Sequence, residues 1–220
     1  MTVKQNIIPA LIPKNKDSLT KDIESLNFAH ELQIDIVDGN FVSTISWPYE
    51  PAGEPSEIQY ILSRHSFEVD MMVSDQITAA ETWVNVGART VIFHVEGVDL
   101  SQVKYFAEHH TDVNIAVAIN NQTPLQELQE YLSFIDMVQL MGISQIGAQG
   151  SAFDERVLDR VTELRSNNPN LLISIDGSMN EHTLKSAKNA GADRFVVGSA
   201  LLKLEDRYQQ YKYLTSLIVG

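Results

Sequence analysis

The sequence predicts a closed (β/α)8 barrel, a TIM barrel, and three observations predict it. Eight short β-rich runs recur along the 220 residues, with helical segments between them. Their step is roughly thirty residues, the length of one βα unit. Most runs are continuously apolar rather than alternating, as expected for strands covered on both faces. With no interdomain linker in view, residues 1–220 are expected to form a single barrel domain.

Each element has its own signal. The first run covers residues 6–12, and the turn after it, Pro13-Lys14-Asn15-Lys16-Asp17, contains no glycine. A doubly wound open sheet would place Gly-x-Gly-x-x-Gly there, so the closed barrel is the better expectation. Residues 18–31 carry Leu19, Ile23, Leu26 and Ala29 on one helical stripe, and the second run follows at 33–38. The longest irregular stretch, 42–55, holds Pro48, Pro51, Gly53 and Pro55; placed after the second strand, it is expected to lie over the catalytic face as a loop or lid. The third run, 67–73, leads through the cap candidates Ser74 and Asp75 into a helix at 76–86 that ends near Gly87. The fourth run is 90–95 and the fifth 114–119. In Asn121-Gln122-Thr123-Pro124 a cap candidate precedes a proline suited to a first helical position. Runs at 135–141, 171–176 and 194–199 complete the eight, with helices at 181–190, ending at Gly191, and at 206–218.

Composition narrows the function. Hydrophobic residues make up 44% of the chain, which argues against disorder. A net charge of −13 repels nucleic acid and anionic membranes, so neither is an expected partner. No cysteine is present, which excludes disulfides and thiolate metal sites. No apolar run approaches transmembrane length and the N-terminus lacks a long apolar signal region, so a cytoplasmic location is expected.

The active face of such a barrel is at the C-terminal ends of the strands. The polar residues placed there are Asp35, Asp38, Asp70, His94, Asn120 and Asp176, and Gln33 shares the parity of Asp35. Three inward carboxylates, Asp35, Asp70 and Asp176, repel one another unless a cation neutralises them or one holds a proton near neutral pH. Either arrangement suits acid–base work. Asp38, before Gly39, reads better as a cap or loop residue. His94 reads equally as a polar core residue or a substrate contact, and Met71, Met72 and Met141 as packing. Three late turns, Gly147-Ala148-Gln149-Gly150-Ser151, Gly177-Ser178 and Gly198-Ser199, follow the sixth, seventh and eighth strands. Backbone N–H groups at such turns form a phosphate cradle.

These residues resemble the ribulose-phosphate 3-epimerase family over nearly the whole chain. The resemblance is carried by Ile8-Pro9-Ala10-Leu11, Ile34-Asp35-Ile36-Val37-Asp38-Gly39-Asn40-Phe41-Val42, Val69-Asp70-Met71-Met72-Val73, Phe93-His94-Val95-Glu96 and Thr123-Pro124-Leu125. It continues through Met141, Ile175-Asp176-Gly177 and the run from Ala190 to Ala200. It implies a ribulose-phosphate-binding type of barrel that epimerises a phosphorylated ketose, a carbohydrate isomerase of pentose phosphate chemistry that is commonly a homo-oligomer. Asp35 and Asp176 match the family's acid–base pair, one on each face of the substrate carbon, with an enediolate between the two proton transfers. Met72 and Met141 match pocket-lining residues. Gly147, Gly150, Gly177, Ser178, Gly198 and Ser199 fall at phosphate-loop positions. In the family a divalent metal is held by the two aspartates and two histidines.

This chain departs from that pattern at four places. Gln33 and Asp70 stand where the family has its metal-binding histidines, Ala10 replaces a substrate-contacting serine, and Ser178 replaces a glycine of the phosphate turn. A shell of Gln33, Asp35, Asp70 and Asp176 offers only oxygen, which suits magnesium or manganese better than zinc if a cation binds, and a degenerate site would hold none. Two other functions stay open. One is a phosphosugar-binding barrel that has lost catalysis. The other is a lyase like the phosphosugar decarboxylases, whose Asp-x-Lys-x-x-Asp motif is matched at Asp70 and Asp75 but carries Met72 in place of the lysine.

Overall fold

The structure, a computed structural model, describes residues 6–147 and 150–218. Eight parallel strands close on themselves in sequence order: β1 (Ile7–Leu11), β2 (Glu31–Val37), β3 (Ser66–Met72), β4 (Thr90–His94), β5 (Asn114–Ile119), β6 (Met137–Met141), β7 (Leu172–Asp176) and β8 (Arg194–Val197). β1 pairs with β8 through Ile7, Ile8 and Pro9, which closes the barrel. The outer layer consists of α1 (Lys16–Ser25), α2 (Gln59–Leu62), α3 (Gln76–Asn85), α4 (Leu100–His109), α5 (Arg156–Asn167), α6 (Leu184–Ala190), α7 (Ser199–Leu202) and α8 (Arg207–Ser216).

Strand parity explains the two cores. Ile34 and Ile36, Val69 and Met71, Val91 and Phe93, Ile173 and Ile175, and Phe195 and Val197 point outward into one large cluster shared with the helices. The alternate positions point inward. There, among the described residues, the buried apolar clusters are two small groups, Ile92, Ala116, Ala118, Met137 and Met141 on one side and Ile8, Ala10 and Val196 on the other. Between them runs a column of buried polar residues, including Gln33, Glu68, Asp70, Gln139, Ser174 and Arg194. The outer apolar contacts hold the barrel, which frees the interior to carry charge.

Local chemistry sets the helix ends. Asn15 caps α1 by accepting from Ser18 N at 2.8 Å, within a capping box. Such a cap contributes about 1 kcal/mol. Asp75 caps α3 through Thr78 N at 3.1 Å, and Asp206 caps α8 through Gln209 N at 3.0 Å. Gly191 closes α6 at φ +111°, a left-handed conformation that costs a side-chain-bearing residue.

Three elements differ from the sequence expectation. α1 stops at Ser25 rather than near residue 31, because β2 already begins at Glu31 and the chain must turn back first. Ala29 is still buried, but from that turn, with its N–H donating to Leu26 O at 2.8 Å. Pro124 starts no α-helix. Its ψ of 138° is extended, and only the 3-10 turn Leu125–Leu128 follows before β6. The stretch 42–55 is also no free lid. Trp47 is 2% exposed, meets Trp83 edge-on at 6.3 Å between ring centroids, and donates its N–H to Pro13 O at 2.9 Å. Ser46 exchanges two bonds with Val37: Ser46 N donates to Val37 O at 2.9 Å, and Val37 N donates to Ser46 Oγ at 3.1 Å. The segment is anchored to the barrel rim.

Candidate active site

At the C-terminal mouth, a cavity is floored by Asp35, Asp176, Met72 and Met141 and rimmed by Gly147, Gly150, Gly177, Ser178, Gly198 and Ser199. These are the residues singled out from the sequence as catalytic and phosphate-binding candidates, brought together from β2, β3, β6, β7 and the loops after β6, β7 and β8. Ala148 and Gln149 of the first glycine turn lie outside the described residues. Ala10, Ile143, Ser151 and Met179 complete much of the wall. Ala10 leaves that side without a hydroxyl.

The two acids are joined by one side chain. Gln33 Nε2 donates to Asp35 Oδ1 at 2.8 Å and to Asp176 Oδ2 at 2.9 Å. The second bond crosses the barrel interior, since β2 and β7 are not neighbours. Asp70 sits one strand over, in register with Asp35. His94 Nε2–H donates to its Oδ1 at 2.7 Å, and Gln139 Nε2 donates to its Oδ2 at 3.1 Å. Hydrogen bonds to charged acceptors contribute about 1.5–3 kcal/mol each, so this belt of donors offsets much of the cost of burying three carboxylates together.

Burial and repulsion set the proton affinities. Burial, then Asp176 and Asp70, push Asp35 well above the usual carboxylate range, against the pull of Gln33. Burial and Asp70 raise Asp176 to about 7, while Gln33 and His94 oppose them. Burial alone would lower His94, but Asp70, Glu96 and Asp176 outweigh it and raise the imidazole above its ordinary value. Near neutral pH the Asp35/Asp176 pair therefore holds a proton that solvated aspartates would release.

Several strand-end candidates fall outside the cavity. His94 is fully buried, locked by Gln76, whose Oε1 accepts from His94 N at 2.7 Å, and covered by Phe41 at 5.3 Å between ring centroids. It is a polar core residue oriented on Asp70. Asp38 organises loops: it accepts from Asn40 N, Phe41 N, Ser74 N and Ser74 Oγ. Partial burial opposes its ionisation, yet the Ser74 and backbone bonds hold it well below the usual range. Asn120 is tied into the rim, its N–H donating to Glu96 at 2.8 Å. Asp75 is spent as the cap of α3. Gln139 escaped the sequence reading; its signal was a lone amide at the parity of Met141 within an apolar strand.

The glycine turns meet steric constraints. A Cβ on Gly147, at φ +81°, would lie 2.5 Å from Val42 Cγ2. Ser178 keeps a glycine-like φ of 54°, and its hydroxyl donates to Ser151 O, joining the turn after β7 to the loop after β6.

One oxygen from each of Asp35, Asp70 and Asp176 lies within 4.8 Å of the others, close enough for one divalent ion to be shared. The histidine-bearing shell implied by the resemblance is not formed. Its two imidazole positions are Gln33, which presents an NH2 group to both acids, and Asp70, whose two oxygens are both engaged. His94 lends its nitrogen to Asp70 instead.

The Ribulose-phosphate 3 epimerase family model matches residues 6–202. Among curated proteins, the ribulose-phosphate 3-epimerase of Aquifex aeolicus is 30% identical over 195 residues, covering 86% of this chain and 85% of the relative. That of Treponema pallidum is 29% identical, covering 88% and 89%. Among solved structures, KGPDC from Streptococcus mutans superposes with a TM-score of 0.72 at 15% identity, covering 97% of this chain and 96% of that one. A 3-hexulose-6-phosphate synthase superposes at 0.73 with 17% identity, covering 98% and 100%. At such identities these structures speak for the barrel fold alone. The sequence matches carry more, and by them this chain belongs to the ribulose-phosphate 3 epimerase family.

Proposed function

We propose that this protein is a divergent sugar-phosphate epimerase in which Asp35 and Asp176 move a proton between the two faces of C3 of a phosphorylated ketose. The observation that carries the reading is the pairing of these two acids, 141 residues apart in sequence, across one cavity that is rimmed by three late loops. The ionised aspartate takes the C3 proton, and the bonding pair left behind delocalises into the neighbouring carbonyl to give an enediolate. The protonated aspartate then returns a proton to the opposite face. Atoms balance, and the two acids exchange protonation states over one turnover. The raised proton affinity of the pair keeps one acid loaded near neutral pH. Met72, Met141 and Met179 exclude water from the reacting carbon, and the loops containing Gly147, Gly150, Gly177, Ser178, Gly198 and Ser199 receive the phosphate. Family membership and the names of the curated relatives support the same reading. The working unit in this proposal is the whole barrel, acting in the cytoplasm, as a homo-oligomer, on a small phosphorylated sugar.

Deuterium exchange tests it. In heavy water, NMR should show solvent deuterium entering C3 of at least one member of a panel of pentulose and hexulose phosphates. Asp176→Asn should slow that entry by about 10²–10⁴-fold, the usual contribution of a positioned acid or base. The alternative of a binding barrel without turnover is favoured by Ala10, which offers the ligand no hydroxyl at the cavity wall. It is selected if a phosphosugar binds by calorimetry yet never exchanges its proton. The lyase alternative loses ground, because Met72 cannot donate a proton and Asp75 is committed to α3.

A further inference from the structure

We propose that Gln33 is a positioning residue standing in for the divalent cation of this family, so that the Asp35/Asp176 pair works without a metal. The proposal rests on the reading of that pair as the acid and base, but its central test does not need activity.

The geometry of the carboxamide is the argument. Gln33 is fully buried and reaches from β2 across the barrel, placing its amino group 2.8 Å from Asp35 Oδ1 and 2.9 Å from Asp176 Oδ2. A carboxamide has two N–H donors in a fixed planar fork, enough to address two acceptors. Turning it over would set its oxygen against two carboxylate oxygens at the same distances, and the one proton the pair holds could serve only one of those two contacts. A cation lodged there would need that oxygen, not the NH2 group, facing inward, so an inward NH2 group and a metal are alternatives for the same space. The third carboxylate is served in the same manner: both oxygens of Asp70 accept N–H donors, from His94 and Gln139. Each member of the acidic triad is thus oriented by the protein's own donors. The bridge uses one oxygen of each acid and leaves Asp35 Oδ2 and Asp176 Oδ1 outside it for the ligand. Gln33 itself does not line the cavity, so its influence on the reaction passes through the two aspartates.

The full chain, stripped with a chelator, should be titrated with Mn²⁺, Mg²⁺ and Zn²⁺ by calorimetry and followed by thermal unfolding. The expected result is no stoichiometric uptake and an unfolding midpoint that none of the ions moves. The double variant Gln33→His with Asp70→His restores both imidazoles and should gain one equivalent of Mn²⁺ or Zn²⁺. One equivalent of any of these ions bound by the wild-type chain overturns the proposal, and this arm decides even if the double variant does not fold. Once exchange of a ketose phosphate is in hand, Gln33→Met should lower kcat by about 100-fold, as displaced reacting groups do, with KM unchanged and no rescue by Mn²⁺. An unchanged kcat, or rescue by the ion, also overturns it. Should no ketose phosphate exchange at all, the epimerase reading fails while the metal titration still stands.

Discussion

The two ends of the barrel interior bury carboxylates in different company. At the N-terminal end, Arg194 of β8 reaches Glu68 of β3 at 2.8 Å and Glu31 of β2 at 3.1 Å. At the C-terminal end, Asp35, Asp70 and Asp176 meet amide and imidazole donors instead. Proton affinity alone does not separate them. Burial raises Glu68 to about 7 although Arg194 pulls the other way, and Asp176 is also raised to about 7. The difference lies in the partner and in access. Arg194 is always charged, and Glu68 is sealed with 0% exposure, so a proton there cannot be handed to a ligand. Asp35 and Asp176 open onto a cavity. A raised carboxylate pKa is therefore a mark of burial first, and becomes a mark of chemistry only where a ligand can reach the group.

The comparison can be broken or sharpened in order of effect. The largest expected effect is on stability at the sealed end. Arg194→Met leaves Glu68 buried without its cation and should cost about 3–5 kcal/mol, the penalty of breaking a buried pair from one side. Urea unfolding should show a greater loss at pH 8.5 than at pH 5.5, where Glu68 can take up a proton; a loss below 1 kcal/mol at pH 8.5 would deny Arg194 its role (the threshold is about a third of the smallest expected penalty). A substitution that contrasts function at the two ends comes next. Glu68→Gln should leave deuterium entry into a ketose phosphate within about threefold of wild type, against the 10²–10⁴-fold loss for Asp176→Asn. Equal losses would mean that the interior acts as one coupled network.

The pH dependence of stability gives a smaller, signed effect. Asp176 binds its proton more tightly folded than unfolded, so the stability it confers is present below the unfolded value of 3.8 and is lost as pH rises through about 7. Asp176→Asn removes this dependence. It should raise the unfolding free energy relative to wild type more at pH 8 than at pH 5, by about 1–3 kcal/mol between the two, as read by urea unfolding. An identical effect at both pH values would show that Asp176 is not a buried proton-holding group. The smallest effect concerns the rim. Ser178→Gly relieves a left-handed conformation worth about 1 kcal/mol but forfeits the bond to Ser151 O. Stability should change by less than about 1 kcal/mol, while phosphosugar affinity measured by calorimetry reports whether the Ser178–Ser151 link shapes the phosphate loops.

The fold was legible because the outward half of every strand is apolar and recurs at the βα step. Of the strand-end candidates, Asp35, Asp176, Gly147, Gly150, Gly177 and Gly198 line one cavity, while Asp70 is fully buried and does not line it. The readings that needed correction concern places where a neighbour in space decides. Trp47 and Ser46 pin the stretch after β2, and no local pattern announces Pro13 and Trp83 as partners of Trp47, or Val37 as the partner of Ser46. His94 reads along the chain equally as core or substrate contact, and the packing of Phe41 and Gln76 around it selects the core.

From the sequence alone came the barrel and the strand ends, since these follow from periodicity, parity and residue type along one dimension, while the resemblance to the family marked Gln33 and Asp70 as standing at its histidine positions. Only the tertiary structure decided what Gln33 does. Its meaning depends on which way an amide faces and on an aspartate from β7 arriving opposite it, and barrel closure, not local propensity, brings those two strands within hydrogen-bonding reach.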